Sequence, residues 1–390
     1  MDGALSSLRL IHGALILIQL LFGVGAVVGA LGMPDTNPIA FTLYREILAG
    51  FILLLFSTYQ NSHSEQDDAK DKAGIWGWVR NYNSFAVLGL VIFGNQAGFI
   101  VGIKMAGPVT ASVWQSSQPI ITAAICMALG LEKYDRRRLA GVILAFLGCA
   151  GMVLLSAQTK RQASEANDAI VIVKEHESSS STAQDNTATI RYLVANLLFL
   201  ANCSCSSAYV ILSKRMLKLY PPLTVTAWSY LMAAVFMFFA TIISSMSSSV
   251  ESFLCPECPT GTTYFLHPQA YPALVYFVIF SSVISYGIMT WANQHVTGTL
   301  VMGYTVLQPV CASLVTLVLL FLGTVPSCTS SSSAANNTLD DKFCLDPPAA
   351  STLCGMAGVF AGLAIIISTE PKKDSDKNGD LSIERIRRSS

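Results

Sequence analysis

Along the chain, ten long apolar runs alternate with polar segments. They cover 10–31, 39–58, 83–105, 109–131, 138–156, 191–213, 224–246, 271–293, 299–322 and 353–369. Each has the roughly 17–25 residues that an α-helix needs to cross a bilayer. The pattern predicts an all-α integral membrane protein of ten transmembrane helices. The third and fourth runs meet at a short Ala106-Gly107-Pro108 turn, and the eighth and ninth at an equally short link, 294–298. Residues 157–190, rich in Ser, Ala and charge, are too polar to bury a core and read as a linker between two blocks of five helices.

The two blocks echo each other. GPVTASVWQSSQPIITAAICMALGLE (107–132) resembles TGTLVMGYTVLQPVCASLVTLVLLFLG (297–323). Laying Gln118-Pro119 on Gln308-Pro309 gives an offset of 308 − 118 = 190, at which Trp114 falls on Tyr304 and Ala123 on Ser313. Gly141 and Gly148 share their seven-residue spacing with Gly355 and Gly362. The expected organisation is a first repeat over 1–156, the linker, a second repeat over 191–370 and a tail over 371–390. Five crossings per repeat is an odd number, so the second repeat is inverted relative to the first.

Composition agrees with a membrane protein. Of 390 residues, 52% are hydrophobic and 12% charged, and mean hydropathy is +0.52. The formal charge of zero argues against a nucleic-acid partner. Little precedes the first apolar run and no cleavage site follows it, so that run reads as a retained helix rather than a signal peptide. Basic residues set the orientation. Lys133, Arg136, Arg137 and Arg138 follow the fourth run, Lys214, Arg215 and Lys218 follow the sixth, and six more lie in the tail. With ten crossings these fall on one side, which the positive-inside rule makes cytoplasmic together with both termini.

The opposite loops, 32–38, 247–270 and 323–352, carry one basic residue, Lys342. They also hold Cys255, Cys258, Cys328 and Cys344, which on an oxidising face are expected to form disulfides in one of three pairings. Asn336-Asn337-Thr338 is a glycosylation sequon in the same region, with Asn336 as the acceptor.

The doubled Gln-Pro helix, Tyr44-Arg45 in the second helix and Leu131-Glu132 before a Gly-rich fifth helix resemble the drug/metabolite transporter superfamily. Lys218-Leu-Tyr-Pro-Pro-Leu-Thr and Trp291-Ala-Asn-Gln-His also match. Within that superfamily the resemblance is to EamA-domain carriers, including nodulin-like plant members. It implies ten helices in two inverted repeats, a central cavity between them and alternating access. The second half departs from the pattern after its ninth helix, where about thirty hydrophilic residues replace the short Leu-Glu turn.

Polar side chains inside hydrocarbon face protein or a water-filled cavity. On that ground His12, Gln19, Asn95, Gln96, Gln115 and Gln118 from the first half are placed in the interior. Asn196, Asn202, Tyr230, Tyr286, Asn293, Tyr304 and Gln308 join them from the second. The substrate-binding set expected from these is Arg45, Asn95, Trp114, Gln115, Gln118, Asn202, Tyr286, Asn293, Tyr304 and Gln308. A buried arginine costs roughly 2.5–3.5 kcal/mol on insertion scales. Arg45 therefore either binds an anionic solute group through its planar fork or is compensated by snorkelling or a carboxylate such as Glu46. Glu46 is the one buried acid and a conceivable proton-coupling group. Pro119 and Pro309 each remove a backbone donor and free a carbonyl, and are expected to act as hinges. Trp114 and Tyr304, one turn before the glutamines, are placed to stack on a flat solute. The fifth and tenth helices are apolar and Gly-rich, which suggests a peripheral position and a homodimer seam.

These features suggest a secondary carrier for a small organic solute, with no cofactor and no bound metal. No Walker motif is present to drive it with ATP. The alternatives are a channel or receptor, and a redox protein built on Cys255 and Cys258.

Overall fold

The computed structural model describes residues 2–32, 36–63, 81–131, 135–137, 139–148, 150–151, 182–255, 264–325 and 351–369. Among these the protein is helical without strands. In hydrocarbon a backbone must satisfy its own hydrogen bonds, which a helix does within one segment. The helices are α1 (Asp2–Gly32), α2 (Pro38–His63), α3 (Tyr82–Gln115) and α4 (Gln118–Ala128), followed by α5 (Leu139–Gly148). The second half contains α6 (Thr182–Met216), α7 (Pro222–Ser245), α8 (Ala270–His295), α9 (Gly298–Phe321) and α10 (Ser351–Ser368). Seven spans in the described residues are long and apolar enough to cross a membrane, in α1–α3 and α6–α9; α4, α5 and α10 contribute shorter apolar stretches.

Local chemistry sets the helix ends. The Asn37 Oδ1 accepts hydrogen bonds from the amides of Ile39 (3.0 Å) and Ala40 (3.4 Å), capping α2 ahead of Pro38. Gly130 and Gly323, both at φ 65°, end α4 and α9. After each, the next amide bonds back across the last turn, Leu131 N–H to Cys126 C=O and Thr324 N–H to Leu319 C=O. This Schellman closure needs a left-handed residue, which glycine supplies without a Cβ clash.

Three expectations about the backbone are corrected. The Ala106-Gly107-Pro108 turn is not a break, because helical backbone runs through it to Gln115. Proline can stay in a membrane helix when only one backbone hydrogen bond is forfeited. The interruption falls instead at Ser116-Ser117. Pro119 and Pro309 accordingly sit in the first turn of new helical segments rather than kinking a continuous one. In α9 the segment before Gln308 is a 3₁₀ turn, Tyr304–Leu307. Finally, helical backbone begins at Thr182, inside the stretch read as linker.

The Gly-rich faces of α5 and α10 meet each other. A Cβ built on Gly362 would lie 2.4 Å from the Ala145 nitrogen and 2.5 Å from the Gly141 carbonyl, and one on Gly358 3.1 Å from the Gly148 Cα. These glycine faces, expected to form a homodimer seam, are thus occupied by each other within one chain. The remaining helices pair across the halves: α2 along α7, α3 along α6 and α7, α1 along α8 and α9, and α4 along α6 and α9. Cys255 is buried and disulfide-bonded. Cys258, Cys328, Cys344 and Asn336 lie outside the described residues.

Candidate functional site

Between the halves lies a cavity of about 70 Å³, room for roughly five waters. Its lining is divided equally, nine residues from each half. Seven of the ten residues expected to bind substrate lie on it: Arg45, Asn95, Gln115, Gln118, Asn202, Tyr286 and Gln308. Several lining residues fall in pairs at the 190-residue offset. Gln96 and Tyr286 (286 − 96 = 190), Phe99 and Met289 (289 − 99 = 190), Gln115 and Thr305 (305 − 115 = 190), and Gln118 and Gln308 all line it. A second offset relates α1 to α6: Phe22 to Asn202 (202 − 22 = 180) and Ala26 to Ser206 (206 − 26 = 180).

One wall forms where α3 and α6 touch backbone to backbone. A Cβ on Gly98 would sit 2.7 Å from the Leu198 carbonyl, so only glycine permits this approach. The closeness lets the two asparagines exchange side-chain to main-chain hydrogen bonds. Asn202 Nδ2 donates to the Asn95 carbonyl at 2.7 Å, and Asn95 Nδ2 donates to the Asn202 carbonyl at 3.4 Å. The amide chain continues from there. Gln115 Nε2 donates to Asn202 Oδ1 at 3.2 Å, and Gln118 Nε2 donates to Gln115 Oε1. The Tyr286 hydroxyl donates to Asn95 Oδ1 at 2.8 Å. Buried amides left without partners are costly, and this chain meets that requirement while keeping polar groups on the cavity surface.

The opposite wall holds Arg45, the single charged lining residue among those described. Arg45 Nε donates to Ser282 Oγ at 2.8 Å and Nη2 to Ser281 Oγ at 3.2 Å. Its guanidinium lies 5.0 Å from the centroid of the Phe277 ring, a cation–π distance. Phe277 and both serines belong to a π-helical stretch of α8, Phe277–Ile284, a widened turn of the kind often found at functional sites. A guanidinium has five N–H donors and two are used here, so the others can meet a solute. Arg45 is 2% exposed, which excludes snorkelling to an interface.

Three expected site residues are engaged elsewhere. Trp114 Nε1 donates to Asn196 Oδ1 at 2.9 Å on the α3–α6 seam. The Tyr304 hydroxyl is 2.6 Å from His12 Nδ1, joining α9 to α1. Asn293 Nδ2 donates to the Val210 carbonyl at 2.6 Å and to Ser213 Oγ at 3.0 Å. None of the three lines the cavity. Residues not foreseen there include Phe22, Ser206, Phe277 and Met302. Serines and apolar side chains are ordinary in membrane helices, so only the 180-residue offset between α1 and α6 could have singled out Phe22 and Ser206. Among the described residues no group of three or more His, Cys, Asp or Glu could hold a metal.

Comparison with known proteins agrees with this architecture. The model of the EamA-like transporter family matches residues 10–154 and 193–330. An uncharacterised transporter of Bacillus subtilis, YyaM, is 23% identical over 218 residues, covering 56% of this chain and 58% of that protein. A WAT1-related protein of Arabidopsis thaliana is 26% identical over 192 residues, 47% of each chain. The chain thus spans about half the length of the curated relatives it matches. A solved crystal structure superposes with a TM-score of 0.55 at 18% identity, covering 95% of this chain and 99% of the other, a likeness of fold.

Proposed function

Because the chain belongs to the EamA-like transporter family, we propose that it is a secondary carrier for a small organic solute. The solute would be bound in the cavity between the halves and released by alternating access. The single observation that carries this reading is the shared cavity: residues related by one sequence offset line it from both sides, with a cation on one wall and amides on the other. At about 70 Å³ the cavity is well below the roughly 300–1,000 Å³ of a ligand pocket. A metabolite therefore enters only when the halves part, as alternating access requires. Arg45 would take an anionic group, the amides of Gln118 and Gln308 would hydrogen-bond polar atoms, and Phe22, Phe99 and Phe277 would cover a flat apolar body.

Ten crossings in two inverted repeats is the topology that goes with this function, with both termini cytoplasmic. Its support is the packing pattern. Exchanging α1–α5 with α6–α10 carries the largest contacts onto one another: α2 with α7, α4 with α9 and α5 with α10 map onto themselves, and α3 with α6 maps onto α8 with α1. Cys258, Cys328 and Cys344 would share the outer loops with Cys255 and supply its partner, and Asn336 would carry a glycan there. A channel could share this cavity, and the flux assay below separates the two.

The test starts with a thermal-shift screen of the purified full-length protein across metabolite classes, since a ligand of the folded state raises its stability. Hits are then followed in proteoliposomes. A carrier gives saturable flux accelerated by the same solute on the far side. Non-saturable flux without counter-transport would establish a channel instead.

A further inference from the structure

Glu46 is fully buried, at 0% exposure, and among the described residues neither of its carboxylate oxygens has a hydrogen-bond partner. It lies one turn from Gly50, where a Cβ would be 2.8 Å from Leu231 Cδ2 and 3.4 Å from the Leu231 nitrogen. Two turns further on, the Ser57 and Thr224 hydroxyls are 2.6 Å apart. Both pairs have the same residue sum (50 + 231 = 281; 57 + 224 = 281), so α2 and α7 run antiparallel in a tight register. That register sets Glu46 level with Ala234 and Val235, on an apolar stretch of α7. An ionised carboxylate with no hydrogen-bond donor is among the most unfavourable groups a protein can bury. A neutral carboxyl in the same place costs far less.

We propose that Glu46 is a proton-binding site of this carrier, and that the bound proton holds the halves in the closed arrangement described above. The proposal rests on the carrier reading, and adds the coupled ion. Proton association is the whole chemical step: one oxygen of the carboxylate gains an O–H bond when the halves close and loses it when they part. Parting α2 from α7 admits water to the seam, where the carboxylate can ionise. Closing it again then requires a proton to be taken up.

The other groups that can carry charge near this seam are few. On α2 itself Arg45 points to Ser281 and Ser282. The α7 helix brings Tyr230, and α8 brings Tyr276 and Tyr286. On α3, Tyr82 lies at the helix start and Lys104 eight residues beyond Gln96, roughly 12 Å of helix away. Gln96 in turn reaches the Tyr230 hydroxyl at 3.3 Å. Phenols ordinarily titrate near 10 and arginine above about 12. Glu46 is the group at this depth whose charged form the closed seam leaves without a donor among the described residues.

Infrared difference spectroscopy on the full-length protein in lipid nanodiscs, with proton concentration as the only variable, tests the site without any substrate. The wild type at neutral pH should show the carbonyl stretch of a protonated carboxyl. Glu46→Gln should lose that band, and Glu46→Asp, which keeps the acid, should shift it. Hydrogen exchange of α2, α7 and α8 peptides, corrected for intrinsic rates, tests the coupling. It should rise several-fold between acidic and alkaline pH in the wild type and stay low in Glu46→Gln. A band that survives Glu46→Gln, or is missing from the wild type, removes the proton site. A normal band with exchange independent of pH overturns the coupling. Neither measurement involves flux, so failure of the carrier reading would register separately, in the proteoliposome assay.

Discussion

Gln118 and Gln308 line one cavity from opposite halves of the chain, yet among the described residues only Gln118 donates to another side chain, through Nε2 to Gln115 Oε1. The sequence repeat makes them equivalent; their surroundings do not. Replacing Gln118 with Ala strands Gln115 Oε1 and should cost roughly 1–3 kcal/mol of stability. Gln308→Ala leaves no such orphan. It should leave the melting temperature near that of wild type while weakening solute affinity several-fold, from a hydrogen bond worth about 0.5–1.5 kcal/mol. Thermal melts with and without a ligand from the screen separate the two effects. Equal stability loss in both variants would show that the asymmetry has no energetic weight.

Arg45 is fixed by Ser282, Ser281 and the Phe277 ring. Ser282→Ala removes the acceptor of the Nε hydrogen and should lower stability by roughly 1–3 kcal/mol. Arg45→Gln should abolish stabilisation by carboxylate ligands while sparing neutral ones, because charge-assisted hydrogen bonds are worth about 1.5–3 kcal/mol. Arg45→Lys should rescue only partly, since an ammonium cannot reproduce the planar fork. A ligand panel whose acids and neutrals lose affinity equally in Arg45→Gln would argue against anion recognition.

Gly98 is required by close approach rather than by backbone conformation. Gly98→Ala places a Cβ 2.7 Å from the Leu198 carbonyl, and overpacking of this kind costs roughly 1–3 kcal/mol. It should also part Asn95 from Asn202, weakening the wall that carries the amides. Gly13→Ala is the control, with nothing within 4 Å of the added Cβ. Melting temperature in detergent should fall for the first variant and hold for the second.

Pro119 opens α4 just after the break at Ser116-Ser117, and Pro309 opens the part of α9 that follows its 3₁₀ turn, Tyr304–Leu307. If these breaks act as hinges, Pro119→Ala and Pro309→Ala should slow flux more than they change affinity, by allowing the segments to fuse into continuous helix. Reduced surface expression with an unchanged rate per molecule is the result expected of proline as a packing device alone.

Topology and redox state can be read together. Cysteines introduced near residues 135 and 216 should resist an impermeant thiol reagent in intact cells, and one near residue 334 should react. Non-reduced peptide maps should find Cys255 joined to Cys258, Cys328 or Cys344, with all four oxidised. A disulfide of this kind is typically worth about 2–4 kcal/mol. Outside labelling at residue 216, or four free thiols, would refute the arrangement.

Much of the fold was legible from the chain alone. The apolar runs place α2, α7, α8 and α9 to within a few residues, because a helix in hydrocarbon must be long, apolar and internally hydrogen-bonded. Seven of the polar residues that line the cavity were legible for the related reason that a polar group at that depth has to face the interior. Periodicity could not say which interior surface each would meet. Trp114 was expected to stack on solute but is held by Asn196, and Asn293 is held by Val210 and Ser213. Those partners lie 82, 83 and 80 residues away, and no pattern within one helix can choose them. The sequence determined that polar side chains gather between two repeated halves. Tertiary packing decided which of them are satisfied by protein and which face the cavity. Contacts such as Gly98 against Leu198 set the distance between backbones, and that distance selects the hydrogen bonds that can form.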